Sequence, residues 1–439
     1  MPAKTLPDDD PEFVSPVVGP SRPRLLRVLG PGLITGASDD DPSGIATYAQ
    51  AGAMFSYRFG WVLLYTYPLM VAVQMISARI GRTTGHGIAG VLRLHAPNWL
   101  LQTIVVLLLI ANTANLGADL GAMADASTLL LPGLPRWIGV LFYGTACIVM
   151  QTFLAYTRYV AVLKWLSLTL FAYFAAMAVT ETDWAALASG LAFPHLDGSV
   201  SQVAMLVAII GTTISPYLFF WQSAEEVEDM RVHPQRIDLL DAPQQAPRAF
   251  ERIEIDTLAG MAFSNLVAIA ILDTAAATLN VHGITNIRTA ADAAQALRPL
   301  AGAFASVIFA AGIIGVGLLS VPVLAGSAAY AVGEARRWPV GYSRRVQEAK
   351  AFYATVVLAT IIGMGIILTP EIEPVQALYG SAILNGIIAA PIMVVMMIVA
   401  GNRDVMGRFA VRGALKAFGW LATAVTSAAV LAMLAGFLL

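Results

Sequence analysis

Apolar residues run along the chain in blocks near the roughly 20 residues a helix needs to cross a bilayer core, with only short polar connections between them. The blocks predict eleven spans, near 25–54, 58–79, 99–126, 136–156, 159–179, 200–230, 254–279, 300–333, 351–369, 374–400 and 417–439. Two of them are interrupted. In the first, Ser38-Asp39-Asp40-Asp41-Pro42-Ser43-Gly44 breaks the run before it resumes as Ile45-Ala46-Thr47-Tyr48, and the sixth carries Gly211-Thr212-Thr213-Ile214-Ser215-Pro216-Tyr217. Proline lacks an N–H and crowds the preceding turn, while glycine permits conformations closed to other residues, so both stretches can unwind. Unwound backbone at membrane depth survives only where it is buried in protein or lines a wet cavity. Five spans separate the two breaks, so a five-helix unit starts once outward and once inward. That is the arrangement of inverted-repeat transporters, in which discontinuous helices meet near the midplane and hold the ion. An ordinary kink competes evenly for Pro216 alone. It competes poorly for Asp41, because an intramembrane carboxylate is costly and functional by default.

Composition agrees with the pattern: 58% of residues are hydrophobic and 12% charged, against about a quarter charged in soluble domains, so the lipid bilayer is the expected partner. Residues 1–24 read as a disordered cytoplasmic tail, since Asp8, Asp9, Asp10 and several prolines precede any apolar run and exclude a cleavable signal. Lysine and arginine are retained in cytoplasmic loops, and with the tail inside only Arg58, Arg136, Arg288 and Arg298 fall outside. The expectation is a multi-pass protein of the cell (plasma or inner) membrane, N-terminus cytoplasmic and C-terminus outside. The net charge of −2 gives no sign of a nucleic-acid partner. Cys147 lies alone in mid-span and is expected to be packing. A phosphate loop, zinc-like spacing and a nucleophile elbow are all lacking, so neither an enzyme nor a resident cofactor is expected. The oligomeric state is not legible.

Asp41-Pro42-Ser43-Gly44-Ile45-Ala46-Thr47, continuing to Gln50-Ala51-Gly52-Ala53, resembles the first-helix signature of the Nramp divalent-metal transporters, Asp-Pro-Gly-Asn followed by Phe-Ala-Thr and Gln-Ala-Gly. Ser215-Pro216-Tyr217 sits where that family has Met-Pro-His. The resemblance implies an all-α integral membrane protein of the LeuT-type fold, with two inverted five-helix repeats (25–179 and 200–400), broken helices 1 and 6, and an additional helix at 417–439. The family's metal ligands carry over as Asp41, Gly44, Ser215 and the carbonyl of Thr212. The Asp is kept, whereas the Asn amide and the Met thioether are gone. A thioether is a soft ligand that favours manganese-, iron- or cadmium-like ions; magnesium takes oxygen ligands and keeps several waters. Gly44 and Ser215 are therefore expected to widen the site for a partly hydrated Mg2+, with Mn2+ as a second substrate, as in the Nramp-related magnesium transporters.

The family's proton path uses an Asp and a Glu on the third helix and the His of Met-Pro-His. Alignment on Gly121 puts Asn115, Ala118 and Tyr217 there, none of which titrates near neutral pH. Transport is accordingly expected to be uncoupled from protons. The alternative is a proton-coupled Mn2+/Fe2+ importer whose relay runs through Asp119, one turn after Asn115. Further candidates for the ion pathway are Asp40, Glu225, Glu226 and Asn385. Glu228 and Asp229 are expected to pair with nearby arginines, Asp125 to be structural or vestibular, and residues 232–252 to be a linker between repeats.

Overall fold

The computed structural model describes Gly36, residues 38–153 and residues 170–438, and their regular structure is helical. The long helices are α1 (Pro42–Phe55), α2 (Gly60–Thr84), α3 (Asn98–Leu130), α4 (Arg136–Phe153), α5 (Phe171–Val179), α6 (Val200–Thr213), α7 (Pro216–Val232), α8 (Ala246–Ala275), α9 (Ala305–Arg336), α10 (Lys350–Ile367), α11 (Pro374–Gly401) and α12 (Gly413–Leu438). The tail expected over 1–24, the start of the first span and the start of the fifth lie outside the described residues. Among the described residues, eight stretches are long and apolar enough to cross a membrane. The predicted fourth and fifth spans correspond to α4 and α5.

Both predicted interruptions are present. Residues 38 and 39 are helical, the chain bends at Asp40, and Asp41 is extended (φ −67°, ψ 171°) before Pro42 opens α1. In the sixth span α6 stops at Thr213, Ile214 and Ser215 leave helical geometry, and Pro216 opens α7. Proline in a first helical turn costs nothing, because its missing N–H has no intrahelical acceptor there.

The expected linker is shorter than predicted. α8 begins at Ala246, with Pro247 in its first turn. The remaining connection is tied to the end of α2: Arg82 donates from Nη1 to the Ile237 carbonyl (2.6 Å) and from Nη2 to Gln245 Oε1 (2.8 Å). The short helices Ile88–His95 and Trp184–Ala192 were not predicted. Too short to span a bilayer, they leave no mark in a search for long apolar runs.

α3 is central, packing against α4, α9, α10 and α11, while α1 packs on α8, α6 on α11, and α7 on α2 and α9. Asn112 pins α3 to α9 by donating to the Leu324 carbonyl (2.9 Å) and Ser327 Oγ (2.6 Å). Outward faces carry large apolar side chains, among them Leu64, Val106, Ile110, Phe142, Ile361 and Ile398. An apolar belt of that extent needs lipid or a partner to cover it.

α6 and α11 meet backbone to backbone beside the second break. A Cβ on Gly211 would strike the Ala382 carbonyl and the Gly386 nitrogen, whereas one on Gly380 would meet nothing within 4 Å. Gly211→Ala is therefore expected to destabilise the protein by about 1–3 kcal/mol, the usual cost of overpacking, and to lower its melting temperature in detergent. Gly380→Ala should leave the melting temperature unchanged.

Candidate functional site

Asp41 is the N-cap of α1, and its side chain is buried at 1% exposure. Four donors face its two oxygens. Oδ1 accepts from the Gly44 N–H (2.8 Å) and from Ser43 Oγ (2.8 Å). Oδ2 accepts from Asn115 Nδ2 on α3 (2.8 Å) and lies 3.3 Å from the Tyr217 hydroxyl of α7, which also reaches the Ser38 carbonyl at 3.0 Å. Among the described residues no lysine or arginine bonds to Asp41. Its negative charge rests on the N-terminal dipole of α1 and on neutral donors, a stabilising placement for an anion.

Ser215 and Thr212 stand at the opposite kind of helix end. α6 finishes here, so its last carbonyls carry the negative end of the helix dipole. The Ser215 hydroxyl lies 2.7 Å from the Gly211 carbonyl and 2.8 Å from that of Thr212. With its proton engaged there, the Ser215 oxygen keeps lone pairs for an incoming cation, as does each carbonyl. Gly44 closes the contact between the two breaks: a Cβ placed on it would lie 3.1 Å from Thr212 Oγ1, 3.3 Å from the Asp39 carbonyl and 3.4 Å from the Tyr48 ring. Asp41, Gly44, Thr212 and Tyr217 are thus gathered at one junction, with Ser215 adjoining on the α6 side.

One expectation about this junction is corrected. Gly44 was expected to leave a wider pocket, but Thr212, Asp39 and Tyr48 fill the space its missing side chain frees. A small cleft opens one to two turns along α1, where Ile45, Ala46, Ala49, Asp125, Phe309 and Leu378 line it. Asp125 bounds it, with Oδ2 accepting from the Ala290 N–H at 3.0 Å. Ser215 is not among its lining residues.

Asn115, read from sequence only as a position lacking an acid, bonds directly to Asp41 and relays it to α11. Its Oδ1 accepts from Ser381 Oγ (2.8 Å) and Asn385 Nδ2 (3.4 Å). Ala118 is buried and offers no polar atom. Asp119 is fully buried on α3; Ser320 Oγ of α9 donates to its Oδ2 at 2.7 Å, and its Oδ1 has no partner among the described residues. Asp39 and Asp40 are also fully buried, and Ser264 Oγ of α8 lies 2.6 Å from Asp39 Oδ2 and 3.3 Å from Asp40 Oδ1. Ser264, Ser320 and Ser381 escaped sequence reasoning because a lone serine in an apolar helix commonly bonds its own helix. Their one available signal was position opposite a break.

The acidic end of α7 is largely structural. Glu226 forms an ion pair with Arg252, and Asp229 with Arg236, while the His233 ring lies 3.2 Å from Asp229 Oδ1. Glu228 accepts from the Tyr330 hydroxyl (3.0 Å) and the Ser343 N–H (2.6 Å), with Arg231 at 3.7 Å. Glu225, 5% exposed, bonds to no described residue. Removing one member of a buried pair strands the other charge, at about 3–5 kcal/mol. Arg252→Ala is expected to lose that much stability, read as a lower melting temperature, and Glu226→Gln in the same chain should restore part of it. A variant that lost ion uptake with full stability would instead place Glu226 in the ion path.

Residues 32–436 match the family described as natural resistance-associated macrophage protein-like. Curated relatives include proteins named divalent metal cation transporter MntH. That of Deinococcus radiodurans is 26% identical over 404 residues, covering 91% of this chain and 87% of the relative. That of Burkholderia ambifaria is 27% identical over 406 residues, with 91% and 87% covered. Among solved structures, the manganese transporter of Eremococcus coleocola superposes with a TM-score of 0.73 at 17% identity, covering 97% of this chain and 92% of that one. MhsT in complex with L-phenylalanine gives 0.57 at 12% identity, with 93% and 97% covered. The fold is the LeuT type that the resemblance in the first-helix and sixth-helix motifs implies.

Proposed function

Since the chain belongs to the natural resistance-associated macrophage protein family, we propose that it carries a divalent metal cation through the membrane, held at mid-depth between the breaks before α1 and between α6 and α7. The observation that carries this reading is Asp41: a buried carboxylate at the junction of two interrupted helices, surrounded by neutral donors and facing no cationic side chain among the described residues. The relatives' printed names support a divalent metal as cargo.

Within that class we assign Mg2+ as the preferred cargo, with Mn2+ also carried. The groups assigned to the ion in this reading offer oxygen alone: the Asp41 carboxylate, the Ser215 hydroxyl and the carbonyls of Gly211 and Thr212. Oxygen donors suit a hard cation, and no thioether stands at the second break to reward a softer one. Coupling to protons is absent in this reading, since Asn115 and Ala118 cannot titrate and Tyr217 does not near neutral pH. The membrane potential suffices, contributing about 4.6 kcal/mol per 100 mV to an entering divalent ion, twice the single-charge value. A second reading, proton-coupled Mn2+ or Fe2+ import, is favoured by the unpartnered Asp119 Oδ1 beside the same helix.

Uptake into proteoliposomes holding a pH dye separates the two. The uncoupled reading expects Mg2+ and Mn2+ entry without acidification of the lumen, and metal-driven acidification would replace it with the second. Asp41→Asn should reduce uptake to that of empty liposomes. Ser215→Met should raise Cd2+ and Mn2+ uptake relative to Mg2+ by roughly tenfold, a change of about 1.4 kcal/mol; an unchanged ratio would remove the argument from donor softness.

A further inference from the structure

Beside Asp41 the chain buries two more carboxylates that the proposed site does not use. Asp39 and Asp40 are each 0% exposed. They are brought against α8 by a close helix crossing: a Cβ on Gly36 would strike the backbone of Gly260. One turn further along both segments, Asp40 follows Gly36 and Ser264 follows Gly260. The single proton of Ser264 Oγ serves both acids, at 2.6 Å from Asp39 Oδ2 and 3.3 Å from Asp40 Oδ1. The remaining oxygens, Asp39 Oδ1 and Asp40 Oδ2, are buried with no partner among the described residues. The buried hydroxyl of Tyr48 lies beside them, directed to Thr212 and within electrostatic reach of Asp39, Asp40 and Asp41. Among the described residues neither Asp39 nor Asp40 forms an ion pair.

Buried acids are ordinarily paired or bind metal. Here two adjacent acids share one donor and leave two oxygens unanswered among the described residues, with a phenol hydroxyl nearby, all oxygen ligands of the kind a hard divalent cation takes. Asp41 is one residue away but turns to α3 and α7, whereas Asp39 and Asp40 turn to α8. Two separate sets of oxygens therefore line successive levels of the same broken helix.

We propose that Asp39, Asp40 and Ser264, with the Tyr48 hydroxyl beside them, form a second station for the transported divalent cation, entered after the ion leaves Asp41 toward the N-terminal half of the broken helix. The station rests on the reading of the chain as a cation carrier. One ion occupies the two stations in turn, because two divalent charges so close would repel strongly.

Mn2+ binding to the purified full-length protein in detergent, read from loss of the free Mn2+ electron paramagnetic resonance signal, tests it. Wild type is expected to bind about one ion, since the stations fill in turn. Asp41→Asn should retain saturable binding with a weakened dissociation constant, and the triple variant Asp39→Asn, Asp40→Asn, Asp41→Asn should lose it. Ser264→Ala added to Asp41→Asn keeps both acids and should weaken the residual binding by about tenfold, the effect of one charge-assisted bond. If Asp41→Asn alone abolishes binding in a monodisperse protein, or the triple variant binds as Asp41→Asn does, the second station does not exist while the carrier reading stands. If wild type binds no Mn2+, the carrier reading itself fails.

Discussion

Carboxyl groups held in the middle of an apolar bundle, with no cationic side chain bonded to them among the described residues, are the constraint around which the described structure is arranged. Asp39, Asp40 and Asp41 are all buried. A carboxylate removed from water without compensation is far too costly to keep. What compensates Asp41 is backbone and neutral side chains: the Gly44 N–H at the start of α1, Ser43, Asn115 and the Tyr217 hydroxyl. Such donors support an anion without neutralising it. The local field stays attractive to a cation, which an arginine in the same place would have cancelled.

The breaks make this possible. A continuous helix would bury its N–H groups in its own ladder and present nothing to Asp41; interruption at Asp40 and Asp41 frees the start of α1 to cap the carboxylate, and interruption at Ile214 and Ser215 leaves the final carbonyls of α6 exposed to the junction. Opposite helix ends thus meet at one place, one holding the acid and the other offering oxygen. The surrounding helices are locked at short range, by Gly211 against α11 and by Asn112 between α3 and α9. At the charged end of α7, Glu228, Asp229 and Glu226 are answered separately by Arg231, Arg236 and Arg252. The junction of the breaks and the fixed ion pairs of α7 occupy different levels of the bundle.

The long helices and both breaks were legible because each rests on a local signal. Twenty apolar residues mark a span, and Asp41-Pro42 and Ser215-Pro216 mark interruptions whatever lies around them. What could not be read were partnerships across the bundle. Asn115 looked like a mere loss of an acid and proves to be a donor to Asp41, because its role depends on where α3 passes α1. Gly44 looked like added room and proves to be filled by Thr212 and Tyr48, since the volume freed by a missing side chain belongs to whichever neighbour approaches. Glu226 stood undecided between ion path and structure until α8, starting earlier than its apolar run, brought Arg252 to it.

The central claim is that a doubly charged ion is gripped by Asp41 between the two interrupted helices. A crystal structure of Mn2+-soaked protein with anomalous scattering recorded at the manganese edge tests it most directly. The account predicts an anomalous peak within coordination distance of an Asp41 oxygen and of the Ser215 hydroxyl or a terminal α6 carbonyl, with waters completing the shell. A peak elsewhere with Asp41 still closed on Asn115 and Gly44, in protein that transports the ion, would contradict it.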